Sequence, residues 1–415
     1  MGDTPYPLRP VTEAELDHFF RVLMRAFGED SRPEEIALDR LTAEADRTIA
    51  AFDGEDMVGT AGAFTFELAV PGGRLPAAGV TYVGVSPTHR RRGVLTSMMQ
   101  QQLADIHDRG EPVAVLWASE AAIYGRYGYG VASRRMDVEV DRTQTGVRRD
   151  LPADESVKIR LVEPESMYDA VEAVERAVVD ERPGQFVRDR RWVETALADL
   201  ESRRHGRSQL QGVLALRSGA PVGYATYSTK ASAVRGHAIA DGDIAVISHR
   251  ALDSGAHVAL VRLLLSLDLM RRVRWWNQPL DSSIPHLLTD PRQARSIITD
   301  GLHARVVDVP AALAGRRYTR AVDVTVAVSD DRCPWNAGTW RLVAEEDGVA
   351  ECERASTDSA DVALEVEALG AAYLGGTPLT ALAEAGRVST TNPLRLNELS
   401  VAFGWSRLPW CPVIF

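Results

Sequence analysis

The chain has 415 residues, of which 45% are hydrophobic and 25% are charged. This composition is typical of a soluble globular protein of two or three domains and excludes a fibrous or largely disordered chain. Forty-seven basic and 58 acidic residues give a net charge of -11, which argues against nucleic acid as a partner and favours cationic ones.

The first 150 residues predict an α/β domain. Apolar residues at helical spacing indicate a helix from Leu16 to Phe27, and Pro33 begins a second, acidic helix. Turns at DGED and PGGR then separate extended segments of a sheet. The remaining expected elements are the strand GVTYVGV at 79–85, a long helix from about Val94 to Arg109, the strand VAVLWA at 113–118 and the strand MDVEV at 136–140.

The next segment, 151–305, follows a polar stretch of linker character at 148–156 and repeats the order of the first. Aligning DIAVISHRALDSGAHVALVRLLL with TYVGVSPTHRRRGVLTSMMQQQL indicates an internal duplication, in which ALDSG replaces the arginine-glycine turn. The second copy is therefore predicted to be degenerate. The last segment, 306–415, has strands, then helices and the apolar tail PVIF. Its GGTPL turn and Ala-rich helix resemble the sterol-carrier-protein-like fold.

Several classes of protein and site lack support. No apolar run is long and uncharged enough to span a bilayer, and the first residues form no secretory signal, so we expect a cytoplasmic protein without membrane contact. The three cysteines form no CxxC pair, which argues against a disulfide framework. The nine histidines are scattered singly, so no metal site is expected.

The most informative stretch is VTYVGVSPTHRRRGVL, residues 80–95. A strand runs into an Arg- and Gly-containing turn that opens directly into a helix, so the free N–H groups of the first helical turn form an anion site. Gly93 permits close approach of the backbone, and Arg90, Arg91 and Arg92 add positive charge suited to phosphates. The alternative interpretation is a solvated basic turn.

These residues resemble the signature of the GNAT acyltransferase superfamily. The run from Arg90 to Val94 fits its pattern, and Leu95 departs from it at the last place. The segment ASEAAIYGRYGYG, 118–130, is similar to the second half of the signature, in which Tyr124 takes the position of the catalytic tyrosine. The resemblance implies acetyl-CoA as the co-substrate.

The likeness narrows to the Eis family of bacterial aminoglycoside acetyltransferases and covers the whole chain. It rests on SPTHRRRGVL, ASEAAIYGRYGYG, IPHLLTD at 284–290 and the terminal phenylalanine. The resemblance implies two fused GNAT-like domains, 1–150 and a degenerate 151–305, and a sterol-carrier-like domain, 306–415. It also implies a homohexamer and a link to antibiotic resistance.

Transfer of an acetyl group from a thioester to an amine needs an unprotonated amine and a proton donor for the departing thiolate. Tyr124 suits the donor role, because a phenol of pKa about 10 stays protonated at neutral pH. The family resemblance makes the terminal carboxylate of Phe415 the base. The alternative is that the CPVIF tail merely packs.

The resemblance also implies binding residues. Backbone contacts to the pantetheine fall at Val83 and Val85, phosphate contacts at Arg90, Arg91 and Gly93, and a further contact at Ser119. The amine site takes Phe27 and Glu29, and strand alternation from Val83 predicts that Tyr82 faces the same cavity.

Cationic amines are the expected substrates, with aminoglycosides first, and polyamines or lysine side chains as other acceptors. A protein-lysine acetyltransferase would differ only in its acceptor. A lipid- or sterol-binding carrier that works through the third domain is the alternative from another class. An intact RRRG turn together with Tyr124 favours the enzyme, because a carrier needs neither.

Overall fold

The computed structural model describes residues 6–234, 239–346, 348–357 and 359–415. The chain divides into two compact units. The first comprises Met1–Arg134, Arg182–Phe186 and Asp300–Phe415, and the second comprises Arg135–Glu181 and Val187–Thr299. The predicted domain boundaries after residues 150 and 305 stay a prediction.

The elements of the first third follow the periodicity of the sequence closely. Its strands are β1 (Leu8–Arg9), β2 (Thr48–Asp53), β3 (Asp56–Val70), β4 (Gly73–Val85), β5 (Val113–Trp117), β6 (Gly130–Val131) and β7 (Arg134–Asp141). Its helices are α1 (Leu16–Phe27), α2 (Pro33–Asp39), α3 (Val94–Asp108) and α4 (Ala121–Tyr124). The expected helix over 94–109 is thus confirmed, and it ends before Gly110, whose φ of 72° is left-handed.

The middle third repeats this order. Its strands are β8 (Val157–Val162), β9 (Gln211–Arg217), β10 (Ala220–Lys230), β11 (Ala233–Val234), β12 (Ile239–Ala240), β13 (Gly242–Ala251), β14 (Met270–Pro279), β15 (Ala294–Asp300) and β16 (Leu302–Val306). Its helices are α5 (Tyr168–Val178), α6 (Arg190–Leu197), α7 (Ser254–Ser266) and α8 (Ile284–Leu287).

The remaining residues add a smaller α+β layer. Its strands are β17 (Val322–Ser329), β18 (Gly338–Ala344), β19 (Ala350–Arg354), β20 (Val362–Glu365) and β21 (Val388–Thr390), in the order β19-β18-β17-β20-β21. Its helices are α9 (Val309–Ala314), α10 (Val366–Tyr373), α11 (Leu379–Glu384) and α12 (Pro393–Phe403). The sequence predicts three strands followed by helices. Strands β17, β18 and β20 followed by α10 and α11 match this order, whereas α9 precedes the strands and β21 lies between α11 and α12.

The two large sheets have the same architecture. Their strand orders are β1-β2-β3-β4-β5-β16-β6 and β8-β9-β10-β13-β14-β7-β15. In each sheet, a helix connects the only parallel pair, β4 with β5 and β13 with β14, and the other pairings that are described are antiparallel. The internal duplication that the sequence indicates is therefore present in the fold.

Two strands differ from expectation in the sheet that they join. The MDVEV strand, assigned by sequence to the first domain, is β7 and pairs with β14 of the second sheet. In return β16, which lies at the end of the predicted second domain, pairs with β5 and β6 of the first sheet. Alternation of apolar and polar residues reports that a strand has one buried face, but it carries no information about which edge receives the strand.

A buried ion pair anchors β16. Arg305 is bidentate to Asp330, with Nη2 at 2.8 and 2.7 Å from the two carboxylate oxygens, and both side chains are almost fully buried. Arg305 also donates to the carbonyl oxygens of Tyr127 and Val306 at 2.8 and 2.6 Å. Asp330 further accepts from the Asn336 amide at 2.9 Å. The pair thus joins the first sheet, the segment after α4 and the turn after β17.

We predict that Asp330→Asn lowers the free energy of unfolding by about 3–5 kcal/mol, because it leaves the Arg305 charge buried without a counter-charge. Asp323→Asn is the matched control. Asp323 is also bidentate to an arginine, Arg341, at 2.9 and 2.8 Å, but that pair is about half exposed and its loss should have little effect. Urea denaturation of the two variants measures the difference, and equal losses would contradict the assigned role of Arg305.

Candidate active site

The cavity of interest begins where two parallel strands separate. Strand β4 pairs with β5 only from Ala77 to Val80. Beyond Val80, β4 continues to Val85 while pairing with β3 on its other edge. Backbone groups of the last residues of β4 therefore face the gap and can bind an extended ligand as a further strand would.

A bulge at Tyr82 accompanies this separation. Tyr82 has a φ of 56°, and the β3–β4 register shifts opposite it, between Thr60 and Gly62. The Thr60 hydroxyl donates to the Tyr82 carbonyl oxygen at 2.9 Å, which satisfies a group that the regular ladder leaves unpaired. The Tyr82 ring packs with residues of α1, whereas the Val83 side chain packs with residues of α3 and lines the cavity.

The turn between β4 and α3 has the backbone of an anion site. Arg91 and Gly93 both adopt left-handed conformations, with φ of 63° and 86°. Gly93 is also the N-cap of α3, where no side chain occupies the first-turn N–H groups. These groups and the positive end of the helix dipole remain available to a phosphate. The expectation of an anion-binding backbone here thus has a geometric basis.

The three arginines of the turn differ in their contacts. The Arg90 guanidinium donates to the Ala26 carbonyl oxygen at 2.7 Å and to that of Val85 at 3.3 Å, so it connects the end of α1 to the end of β4. Arg92 lies 3.5 Å from the Tyr6 hydroxyl. Arg91 is exposed beside the open helix terminus.

A cavity of about 670 Å³ joins these features. Eight of the residues that the sequence selected line it: Phe27, Val83, Val85, Arg90, Arg91, Gly93, Ser119 and Tyr124. It runs from the end of α1 past the open strand edge and the α3 terminus to α4. The structure therefore brings the expected cofactor residues and the expected proton donor to one place.

Tyr124 ends the short helix α4, and only 7% of the residue is exposed. Burial, with smaller contributions from the neighbouring Tyr127 and Glu120, raises the pKa of Tyr124 to about 12. The phenol is thus neutral over the whole physiological range, which is the state that a proton donor requires.

Three expected site residues do not line this cavity. The Tyr82 ring packs edge-on against the rings of Phe19, Phe20 and Phe64, at 6.1, 5.1 and 5.4 Å. Neighbouring residues of a strand point to opposite faces, so Tyr82 does not line the cavity that Val83 lines. Its place in the amine site stays a prediction. Glu29 follows the α1 C-cap Gly28 and is exposed.

The third of these residues, Phe415, lies in an aromatic cluster. Its ring is perpendicular to those of Phe64, Phe66 and Phe186, with centroids 6.2, 4.9 and 5.8 Å away. Phe66 and Phe186 stack on each other at 3.9 Å. Gly79 makes room for this stack, since a Cβ there would lie 2.1 Å from the Phe66 ring. Because Phe64 also contacts Tyr82, the expected amine-site tyrosine and the chain terminus share one cluster.

Sequence reasoning missed Phe64, Phe66 and Phe186. Alternation in AFTFEL places the first two on one face of β3, a signal that could have found them. Phe186 gives no such signal, because it lies outside any helix or strand. Its segment pairs with β3 through a bridge to Leu68 and a bond from the Ala69 N–H to the Gln185 carbonyl oxygen at 2.7 Å.

In the second copy, a carboxylate caps the helix that corresponds to α3. Helix α7, the counterpart of α3, has Asp253 as its N-cap, and the Asp253 carboxylate accepts from the Ala256 N–H at 2.9 Å. Arg217 pairs with both Asp253 and Asp154. The helix terminus that could hold a phosphate is therefore occupied by the chain's own carboxylate.

Comparison with known protein families agrees with this architecture. Models described as acetyltransferase (GNAT) domains match residues 7–132 and 184–306, and a sterol carrier protein domain matches 309–412. The predicted fold class, two GNAT domains followed by a sterol-carrier domain, is thus confirmed.

Relatives match over nearly the full length. An uncharacterized N-acetyltransferase of Streptomyces avermitilis is 44% identical over 98% of both chains. The N-acetyltransferase Eis of Mycobacterium bovis is 34% identical, over 94% of this chain and 95% of its own. The crystal structure of Eis1 from Mycobacterium abscessus superposes with a TM-score of 0.83 at 31% identity, over 99% of this chain and 100% of that one. The chain therefore belongs to the Eis family of GNAT N-acetyltransferases.

Proposed function

We propose that this N-acetyltransferase moves the acetyl group of acetyl-CoA to primary amines of cationic small molecules, with aminoglycosides as the first candidates. The observation that carries the proposal is the single cavity in which an open strand edge, an uncapped helix terminus and Tyr124 meet. GNAT acetyltransferases use acetyl-CoA, and each of these features suits one part of that molecule. The family resemblance and the net charge of -11 support a cationic acceptor.

The residues of the chain have defined roles in this proposal. The backbone of Val83 and Val85 aligns the pantetheine arm, and the turn at Arg91 and Gly93 binds the pyrophosphate. The Phe415 carboxylate accepts a proton from the attacking amine as its C–N bond to the acetyl carbon forms. Tyr124 donates its proton to the thiolate as the C–S bond breaks. The products are the acetylated amine and free CoA thiol.

The same proposal accounts for the aromatic cluster. A terminal residue usually frays, whereas a base has to be held within hydrogen-bond reach of its proton. The Phe415 ring is fixed on three sides by Phe64, Phe66 and Phe186. A C-terminal carboxylate of pKa about 3.5 remains ionised at neutral pH and can act as the acceptor.

The interior of the third domain favours the enzyme over the carrier. The Arg316 guanidinium, fully buried, lies over the rings of Tyr318 and Phe403 at 4.9 and 4.5 Å and donates to the Phe403 carbonyl oxygen at 2.6 Å. Aromatic rings and a paired guanidinium thus fill this part of the domain. The model shows no helix that could cross a membrane among the residues it describes.

The proposal is tested by release of CoA thiol from acetyl-CoA with the purified protein. Aminoglycosides, linear polyamines and a lysine peptide serve as acceptors. We expect release with the aminoglycosides. Release of CoA thiol with the peptide alone would indicate that the protein acetylates protein lysines instead. Binding of acetyl-CoA without release of thiol for any acceptor would favour the lipid- or sterol-carrier alternative.

Tyr124→Phe should lower kcat about 100-fold or more and leave KM for acetyl-CoA nearly unchanged, because it removes only the donated proton. The raised pKa of Tyr124 adds a second expectation. Its protonated form persists up to about pH 12, so the wild-type rate should show no fall near pH 10 that is caused by this residue. Steady-state rates from pH 7 to 10.5 measure both. A fall near pH 10 that is absent from the variant would contradict the raised pKa of Tyr124, and an unchanged kcat in the variant would contradict its role as proton donor.

Addition of one glycine after Phe415 should lower kcat by about 100-fold, because the carboxylate becomes an amide and the new one lies about 3.6 Å further along the chain. Phe415→Leu is the matched control, since it keeps the terminal carboxylate and removes the ring contacts. It should lose less activity than the extended chain. Full activity in the extended chain would eliminate the terminal base.

Family membership also leads us to propose that the protein is a cytoplasmic homohexamer. Light scattering would measure the mass of the assembly in solution and so test the hexamer.

A further inference from the structure

Five arginines lie in the cavity, in the α3 turn or next to residues that line the cavity. Many arginines of this chain pair with carboxylates, as Arg217, Arg271 and Arg341 do. Among the described residues, Arg126, Arg332 and the three arginines of the α3 turn make no ion pair with a carboxylate. In the proposed function, the turn before α3 binds the pyrophosphate of the co-substrate. Arg126 and Arg332 have no role in the scheme above.

These two arginines come from different parts of the chain and meet where Arg332 contacts the Arg126 backbone and the Tyr127 ring. Arg126 is exposed, lines the cavity and donates from Nε to the Ile123 carbonyl oxygen at 3.4 Å. Arg332 belongs to the turn after β17, in the sterol-carrier domain. Its Nε donates to the Arg126 carbonyl oxygen at 3.4 Å, and its guanidinium lies 5.6 Å from the centroid of the Tyr127 ring.

Tyr127 connects this pair to the α3 terminus. Its hydroxyl lies 3.2 Å from the hydroxyl of Thr96, which is in the first turn of α3. Tyr127 and Thr96 both line the cavity. Arg126 therefore lines the same cavity as the α3 turn, and Arg332 contacts Tyr127, a residue that lines it.

The buried ion pair holds this arrangement in place. Asp330 accepts from the backbone N–H groups of Arg332 and Cys333 at 3.1 and 3.0 Å. Its partner Arg305 donates to the Tyr127 carbonyl oxygen at 2.8 Å. The backbone that carries Arg332 and the backbone of Tyr127 are thus fixed to the same two buried side chains, which reduces the entropy lost when a ligand binds.

We propose that Arg126 and Arg332 bind the 3′-phosphate of the co-substrate's ribose, so that the sterol-carrier domain supplies part of the acyl-CoA site. The inference rests on the proposed function, which places acetyl-CoA in this cavity. A phosphate monoester carries a charge of about -1.5 to -2 and suits guanidinium donors better than any neutral group. Glu120 lines the same cavity and Asp331 precedes Arg332, but neither forms an ion pair with these arginines among the described residues.

The test compares acetyl-CoA with its 3′-dephospho analogue as co-substrate, at a saturating acceptor concentration. Arg332→Met should raise KM for acetyl-CoA about tenfold at unchanged kcat, since charged hydrogen bonds are lost. It should leave KM for the 3′-dephospho analogue unchanged. Arg126→Met should behave in the same way, and it replaces Arg332→Met if that variant fails to fold.

Arg354→Met is the matched control. Arg354 lies in the same domain, 4.5 Å from the centroid of the Trp340 ring, and donates to the carbonyl oxygens of Ala337 and Trp335 at 3.2 and 3.4 Å. Its contacts thus resemble those of Arg332 in kind, but among the described residues none that it contacts lines the cavity. We expect no change in KM for either co-substrate with this variant.

Two results would overturn the inference: an equal rise of KM for both co-substrates in Arg332→Met, which indicates a structural role, or no rise for either. Calorimetric binding of CoA and 3′-dephospho-CoA separates this failure from that of the proposed function. If CoA binds, and the ratio of the Kd values of CoA and 3′-dephospho-CoA is the same for Arg332→Met as for the wild type, only the phosphate subsite is wrong. If neither ligand binds the wild-type protein, the acetyl-CoA site itself is wrong.

Discussion

The buried pair of Arg305 and Asp330 joins three segments that lie far apart in the chain. Taking two charges out of water is costly, and the cost is offset only when the remaining donors and acceptors are also satisfied. Here they are: Arg305 donates to two carbonyl oxygens besides its carboxylate partner, and Asp330 accepts from Asn336 and from two backbone N–H groups. Through these bonds the pair fixes the edge strand β16, the segment that follows Tyr124, and the turn of the sterol-carrier domain. Elements far apart in the chain therefore keep the geometry of one cavity.

The two GNAT copies differ at the N-terminus of a corresponding helix. Both copies have the same strand order and a helix between their parallel strands. In the first, Gly93 leaves the N–H groups of α3 open, and Arg91 in a left-handed conformation lies beside them. A left-handed arginine costs about 1–2 kcal/mol, which is consistent with a position kept for ligand contact rather than stability. In the second, Asp253 caps α7 and Arg217 neutralises the cap, so the same fold gains helix stability and loses its anion site.

An aromatic cluster surrounds the ring of Phe415. Phe64 and Phe66 present rings from one face of β3, and Phe186 closes the cluster from a segment that returns from the middle of the chain. Perpendicular ring contacts are directional, because the positive edge of one ring meets the negative face of the next. They restrain the Phe415 ring more than apolar burial alone would. Tyr82 belongs to the same aromatic group through Phe64, so the strand that lines the cavity through Val83 and Val85 also contacts this cluster.

Local features of the site could be read from the sequence, and contacts between distant segments could not. The periodicity of α1 and α3, the turn at Arg90 to Gly93 and the position of Tyr124 depend on residues within a few positions of one another, and the structure places them as expected. The bulge at Tyr82, the exchange of β7 and β16, the closure of the aromatic cluster by Phe186, and the approach of Arg332 to Tyr127 each depend on a segment far away in the chain. Patterns of apolar residues record which face of an element is buried. The partner that buries it is selected only when the whole chain packs, because backbone hydrogen bonds and ring contacts are equally available to many segments until the fold excludes the others.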